Sequence, residues 1–278
     1  MALLLLKVCS VFYLLTMVVG VLQIVWPRVT GDRMVLVGFV TAAVAHVGAL
    51  VLRAIEVAGF PMANLHDALS LFGFLAALIT VIVSWRLKVP QAAAIGSILV
   101  AALVLGSVVI EPAHTIPPAL RSHWLPVHIA FAFLGDAAFL GAGIVSVIYL
   151  VQDGRLRHKR RLPKPGTGVH KLPPLEMLDR ASVRLVNVGF PLMTLGLVTG
   201  GIYGHLLGGT FWLFDPRNLV SGVVWLLYAV LLHFRISIGW RGRRLAWLTL
   251  VGVVVTLLAF VLFGVAGVGH HAGGDYVS

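Results

Sequence analysis

Long runs of hydrophobic residues, separated by short polar or proline-containing gaps, extend along the whole chain. Eight such runs occupy approximately 3–26, 34–57, 65–85, 92–110, 127–151, 183–207, 219–235 and 245–268. Each is close to the roughly 20 helical residues that cross the hydrocarbon layer of a bilayer. Membrane strands are shorter and alternate apolar with polar residues, which these runs do not. The pattern predicts an all-α, polytopic membrane protein with about eight transmembrane helices, in one domain over 1–278.

Composition supports this prediction, since 59% of residues are hydrophobic, 11% are charged and mean hydropathy is +1.00. No soluble domain of this length is expected to be so apolar. No small-residue cleavage site followed by polar sequence ends the first run, so we expect a retained helix and not a cleaved signal.

The formal net charge is +11, and the positions of the basic residues follow the order of the hydrophobic runs. All but four of the 21 Lys and Arg residues lie in or beside alternate gaps between the runs. By the positive-inside rule these gaps are cytoplasmic, so both termini are predicted outside (N-out/C-out) and the basic loop 152–178 inside. The charge therefore indicates membrane lipid, and not nucleic acid, as the partner.

Cys9 is the only cysteine, and it lies within the first run. An intramolecular disulfide is therefore impossible, and no CxxCH motif for covalent haem attachment is present. A thiol-exchange function would require a second cysteine from a partner.

An aromatic segment at 208–217, here called the outer aromatic loop, precedes the seventh run. Its aromatic residues are Phe211, Trp212 and Phe214. Flat rings at a membrane surface suit a flat, apolar, iron-bearing ligand such as haem. Alternatively, the aromatic residues mark the membrane interface, and Asp215 caps a helix whose first residue is Pro216.

The predicted topology sorts the histidines into two groups. Those at or near the outer surface are His114, His123, His128, His205, His270 and His271, whereas His46 and His233 lie within the membrane. Imidazole is a common ligand of haem iron, which accepts one axial ligand on each face. His128 with His270 or His271 matches such a pair. An intramembrane histidine indicates function by default, the alternative being a buried imidazole bonded to a carbonyl.

Two further patterns concern packing. Arg53 and Glu56 are three residues apart on the second helix, which predicts a local ion pair, with a site role as the alternative. A stripe of four glycines spaced by four residues, from Gly196 to Gly208, predicts close helix packing. The alternative for the stripe is space beside a planar ligand.

The segment 208–244 resembles the tryptophan-rich "WWD" segment of the cytochrome c assembly family, which includes CcsA, CcmC and HemX. The matching residues are Gly209, Trp212, Asp215, Pro216, Trp225, Tyr228, His233, Arg235, Gly239, Trp240, Gly242, Arg243 and Arg244. Gly208 and Phe214 depart from the pattern, because the family has tryptophan at both positions. A thinned motif of this kind is similar to the HemX branch.

The resemblance implies that the outer aromatic loop holds haem b transiently at the outer face. His128 and one of His270 and His271 would be its axial ligands. His233 and His46 would bind haem within the membrane during its passage.

For function, the resemblance implies haem handling or delivery for c-type cytochrome biogenesis of the system II kind. The chain would then be a non-catalytic component, or part of a haem-attachment synthetase, in a bacterial inner membrane. A CcsB/ResB-like membrane protein and apocytochrome c would be its partners. One alternative is a HemX-like regulator of glutamyl-tRNA reductase levels. Another is a small-solute transporter unrelated to haem.

Overall fold

The computed structural model describes residues 1–26, 32–62, 64–115, 122–157, 173–206 and 216–270. Within those ranges the secondary structure is entirely helical. The helices are α1 (Ala2–Val25), α2 (Asp32–Glu56), α3 (Leu65–Trp85), α4 (Gln91–Val109), α5 (Trp124–Arg157), α6 (Leu175–Leu206), α7 (Pro216–Ile236) and α8 (Arg243–His270). All eight are long and apolar enough to cross a membrane. The predicted all-α, polytopic, multi-pass membrane protein is thus confirmed.

Helices α5 and α6 extend beyond their apolar runs, so the predicted limits of the basic loop were too wide. Residues 152–157 continue α5, and 175–178 begin α6. Ion pairs between residues four apart stabilise these polar turns. Asp153 accepts from Arg157 at 2.9 Å, and Glu176 pairs with Arg180.

Local sequence explains where two of the helices begin. The Asn64 side chain accepts a hydrogen bond from the Asp67 backbone N–H at 3.4 Å and so caps α3. Pro216 is the first residue of α7, where its missing N–H costs no helical hydrogen bond. Asp215, its predicted cap, lies outside the described residues.

Helix α5 is the central element, because it packs against α3, α4, α6 and α8. Helices α1 to α4 pack together on one side of it, whereas α7 packs against α6 and α8. By share of buried residues, α5 is the most buried span and α7 the least. One hydrophobic cluster centres on α1 to α4, and a second joins α5 to the inner parts of α6, α7 and α8.

Polar contacts concentrate at the two ends of the bundle. At the end predicted to be outer, the amino group of Met1 contacts Glu56 at 2.8 Å. At the opposite end, Asp179 of α6 pairs with Arg235 of α7 at 2.8 Å. This grouping agrees with the predicted alternation of the helices.

Candidate functional site

His128 lies in the first turns of α5 and is half-buried. Its Nδ1 is 2.9 Å from the backbone carbonyl of Gly196 in α6. A carbonyl only accepts hydrogen bonds, so Nδ1 carries the proton and donates it. The other ring nitrogen, Nε2, is then unprotonated and has a lone pair. A backbone bond of this kind fixes the tautomer and ring orientation of metal-binding histidines.

Gly200 makes room for the His128 imidazole. A Cβ at position 200 would lie 2.7 Å from Cε1 and 2.9 Å from Nδ1 of His128. The predicted close packing of the stripe is confirmed at Gly196, where a Cβ would lie 3.0 Å from the Ala132 backbone nitrogen. The stripe therefore packs α6 against α5 and also provides the space for an imidazole.

Two residues of the family-like motif connect α7 to the bundle. Trp225 donates a hydrogen bond from Nε1 to Thr194 Oγ1 at 2.9 Å and stacks on Phe190, with ring centroids 5.4 Å apart. Tyr228 is fully buried and stacks on Phe139, with centroids 3.4 Å apart. These contacts hold α7 against α6 and α5 and so position the start of α7, where the outer aromatic loop ends.

The remaining outer candidates lie partly or wholly outside the described residues. Phe211, Trp212, Phe214, Asp215 and His271 are outside them, and His270 is described only as the last residue of α8. The ring centroids of Phe133 and Phe260 are 5.6 Å apart, which sets α5 against α8 near the outer end. At about 1.5 Å per residue, His128 lies about 7 Å and the α8 end about 15 Å beyond this contact. The structure thus places His128 and His270 at the same end of the bundle.

His46 is completely buried between α1 and α3. Its Nε2 is 3.0 Å from Ser70 Oγ, and its ring meets Tyr13 and Phe74 edge-on at 5.8 and 5.7 Å. Among the described residues, its Nδ1 has no hydrogen-bond partner. The alternative expected from the sequence was a histidine bonded to a carbonyl, but His46 instead contacts the Ser70 hydroxyl through Nε2, and its Nδ1 is unpaired within the described residues. An unpaired polar atom in a protein core is costly, so the Nδ1 of His46 requires an explanation.

His233 lies one turn from the inner end of α7, with its side chain exposed on the bundle surface. Its Nδ1 is 3.4 Å from Ser237 Oγ, and its ring is 6.2 Å from that of Phe234. His46 instead contacts α1 and α3. The structure does not bring these two histidines to one site.

Arg53 forms a buried ion pair with a residue of the next helix, which was not predicted from the sequence. Its Nε donates to Asp67 Oδ1 at 2.7 Å, and its Nη2 donates to the Ala113 carbonyl at 2.7 Å. The predicted pairing of Arg53 with Glu56 was wrong, since Glu56 binds the amino group of Met1. A partner across the α2–α3 turn removes more of the cost of burying the guanidinium than an exposed neighbour does. The sequence does contain an indication of this pair, because Arg53 lies near the end of the second span and the oppositely charged Asp67 near the start of the third.

The motif residues from Arg235 to Arg244 build the inner turn between α7 and α8. Asp179 accepts from Arg235 at 2.8 Å and from the Gly242 backbone N–H at 3.0 Å. Gly239 and Gly242 have φ values of +73° and +71°, which glycine adopts without steric cost. Arg235 also donates to the Trp240 carbonyl at 3.1 Å. Contacts within the protein therefore stabilise this turn. Its arginines are also expected to contact lipid headgroups.

These features define a class of protein, a multi-pass α-helical membrane protein with two distinctive histidines. One lies at an end of the bundle with its tautomer fixed by a carbonyl, and the other is buried within the bundle with one ring nitrogen hydrogen-bonded. Comparison with known proteins gives the family. The family model of the cytochrome C assembly protein matches residues 62–271. The chain therefore belongs to the cytochrome c assembly protein family.

Curated relatives are similar over most of their length. "Cytochrome c biogenesis protein CcsA" of Parasynechococcus marenigrum (strain WH8102) is 32% identical over 251 residues, which cover 82% of each chain. The protein of the same name from Synechococcus sp. (strain CC9902) is 31% identical over 248 residues, 81% of each chain. That from Synechococcus sp. (strain CC9311) is 31% identical over 262 residues, 84% of this chain and 86% of the relative.

Proposed function

We propose that this protein binds haem at its outer end and presents it for the biogenesis of c-type cytochromes. The observation that carries the proposal is the hydrogen bond from His128 to the Gly196 carbonyl, which leaves Nε2 free to bind iron. Membership of the cytochrome c assembly family and relatives named as cytochrome c biogenesis proteins support the same role.

Within the described residues, the donor set suits haem better than a bare metal ion. Among the described residues, no three His, Cys, Asp or Glu side chains converge on one point. A structural zinc site takes four protein ligands, whereas haem iron requires at most two. His128 supplies one ligand and His270 or His271 the other. Phe211, Trp212 and Phe214 of the outer aromatic loop supply flat apolar surface for the transiently bound haem b.

Haem that crosses the membrane would bind His46 and His233 one after the other. The unpaired Nδ1 of His46 is an orphaned buried atom suited to a ligand. His233 lies exposed near the inner end, where haem arriving from the cytoplasmic side would first meet the protein. Because the two lie apart, we propose separate contacts along a route and not one bis-histidine site.

Covalent attachment of haem needs thiols that this chain does not provide. Its single cysteine, Cys9, is buried in α1. The thiols would come from apocytochrome c, presented with the help of a CcsB/ResB-like membrane partner. The protein would therefore act as a haem-presenting component of an attachment system in a bacterial inner membrane.

The test is the visible spectrum of detergent-purified protein loaded with hemin, compared among wild type, His128→Ala and His123→Ala. His123 is an exposed histidine near the start of α5 and serves as the matched control. We expect a Soret band that weakens in His128→Ala, because a residue that would hold the iron is lost, and persists in His123→Ala. No band in wild type would refute haem binding.

Deletion of the gene separates the two haem-related functions. Loss of c-type cytochromes is expected from the proposed role. Normal c-type cytochromes with altered glutamyl-tRNA reductase abundance would instead support the HemX-like regulator and overturn the proposal.

A further inference from the structure

A basic cleft opens at the inner end of the bundle, between the α3–α4 turn and the first turns of α6. It has a volume of about 370 Å³, and the described residues that line it include no histidine. Its apolar part is formed by Leu87, Met177 and Ala181. The cationic residues that line it are Arg86, Lys88, Arg180 and Arg184.

The positive charge of this basic cleft is largely unneutralised. Among the described residues, Glu176 is the only carboxylate in the lining, and it pairs with Arg180. Lys88 and Arg184 are exposed, and in the described part of the chain neither forms an ion pair with a carboxylate. Arg86 lies over the Trp85 ring, 4.6 Å from its centroid. Three cations are thus available to an anion.

The backbone holds one of these cations in an unusual conformation. Lys88 has a φ of +55°, in the left-handed region that a lysine rarely occupies. The next residue, Val89, is fully buried and donates its N–H to the Val83 carbonyl at 3.3 Å. The turn is therefore fixed by its buried neighbour, which sets the start of the lysine side chain at the cleft.

Exposed apolar surface continues from the basic cleft along both flanking helices. On α3, Trp85, Ile82 and Leu78 are exposed at helical spacing, and on α6 Val188 follows Arg184 by one turn and is 57% exposed. A ligand that fits this surface has an anionic head and long apolar chains. A small soluble anion would leave the apolar surface uncovered.

We propose that the basic cleft binds the headgroup of an anionic phospholipid of the inner leaflet. Lys88 and Arg184 contact its phosphate, Arg86 adds a third charge, and the acyl chains lie along α3 and α6. The predicted topology supports this occupant, since the cleft faces the leaflet where basic segments meet anionic lipid.

The experiment is native mass spectrometry of delipidated, detergent-purified protein titrated with phosphatidylglycerol or with phosphatidylcholine of the same chains. We expect wild type to prefer phosphatidylglycerol. Lys88→Gln and Arg184→Gln should each weaken that binding about fivefold, the factor equivalent to about 1 kcal/mol per cation at an anionic lipid surface. Both side chains are exposed, so the fold should be retained, and a thermal melt checks this.

Arg241→Gln is the matched control, because Arg241 is an exposed inner-side arginine outside the cleft lining. Phosphatidylglycerol binding should be unchanged in this variant. Equal binding of the two lipids by wild type, or an equal loss in the control, would overturn the proposal. Displacement of the lipid by equimolar glycerol 3-phosphate would also overturn it, since the site would then serve a soluble phosphate ligand.

Discussion

The contact between Gly200 and His128 gives the sharpest prediction about haem binding. In Gly200→Ala, a methyl group is placed 2.7 Å from Cε1 and 2.9 Å from Nδ1 of the imidazole. Real Cβ contacts are not found at these distances, so either the helices or the ring must move. Separation of the helices would lose the close packing at Gly196, where a Cβ would lie 3.0 Å from the Ala132 backbone nitrogen. We therefore expect the ring to move.

Ordinary van der Waals contact begins near 3.4 Å, so the ring must shift by roughly 0.7 Å. That shift lengthens the 2.9 Å bond from Nδ1 to the Gly196 carbonyl and turns Nε2 away from its position. Loss of a neutral hydrogen bond costs about 0.5–1.5 kcal/mol, and overpacking costs about 1–3 kcal/mol. If about 1.4 kcal/mol of this cost is present only in the haem-bound protein, haem affinity falls tenfold.

The assay is a hemin titration followed by Soret absorbance, with a thermal melt of each variant. Gly222→Ala is the control, because a Cβ on Gly222 has nothing within 4 Å. We expect about tenfold weaker binding in Gly200→Ala and none of this loss in Gly222→Ala. Wild-type affinity in a folded Gly200→Ala protein would refute the idea that the Gly196 bond positions the ligand.

Two other predictions concern stability. Asp67→Asn should lower the free energy of unfolding by about 3–5 kcal/mol, because it leaves the Arg53 guanidinium buried without its counter-charge. Glu176→Gln, at an exposed ion pair, should change it by less than about 1 kcal/mol, and equal melting temperatures for the two variants would contradict this explanation. Trp225→Phe should cost about 1 kcal/mol through the lost bond to Thr194, and Thr194→Val in that background should add little if the pair acts as a unit.

The helices were predictable because lipid imposes a simple rule on the sequence. An apolar run of about 20 residues in a bilayer must satisfy its own backbone, and only a helix does so. All eight predicted runs are helices. The rule does not apply to the parts of a helix that extend beyond the bilayer into water. The ends of α5 and α6 at Arg157 and Leu175 were therefore missed, because there the helix is stabilised by charged pairs and not by hydrophobicity.

Partners across helices were much harder to predict than the helices themselves. His128 and Arg53 were both singled out by type and depth, but the sequence does not specify that one bonds a carbonyl of α6 and the other an acid of α3. These pairings depend on the rotation of each helix about its axis, which a nearly uniform apolar sequence does not determine. The glycine stripe was the exception, because small residues repeated at one spacing favour closely packed helices.

The two histidines proposed to bind haem differ in the hydrogen bonding of their ring nitrogens, and this difference would suit them to different tasks. At His128 a backbone carbonyl fixes the proton on Nδ1, so binding at Nε2 requires no rearrangement and suits a holding site. At His46 the partner is the hydroxyl of Ser70, which can donate or accept. Binding at Nδ1 of His46 would require Nε2 to carry the proton and donate it to this hydroxyl, so only one of the two neutral tautomers could bind. A histidine whose tautomer is not fixed by a carbonyl would suit the passage of haem better than its retention.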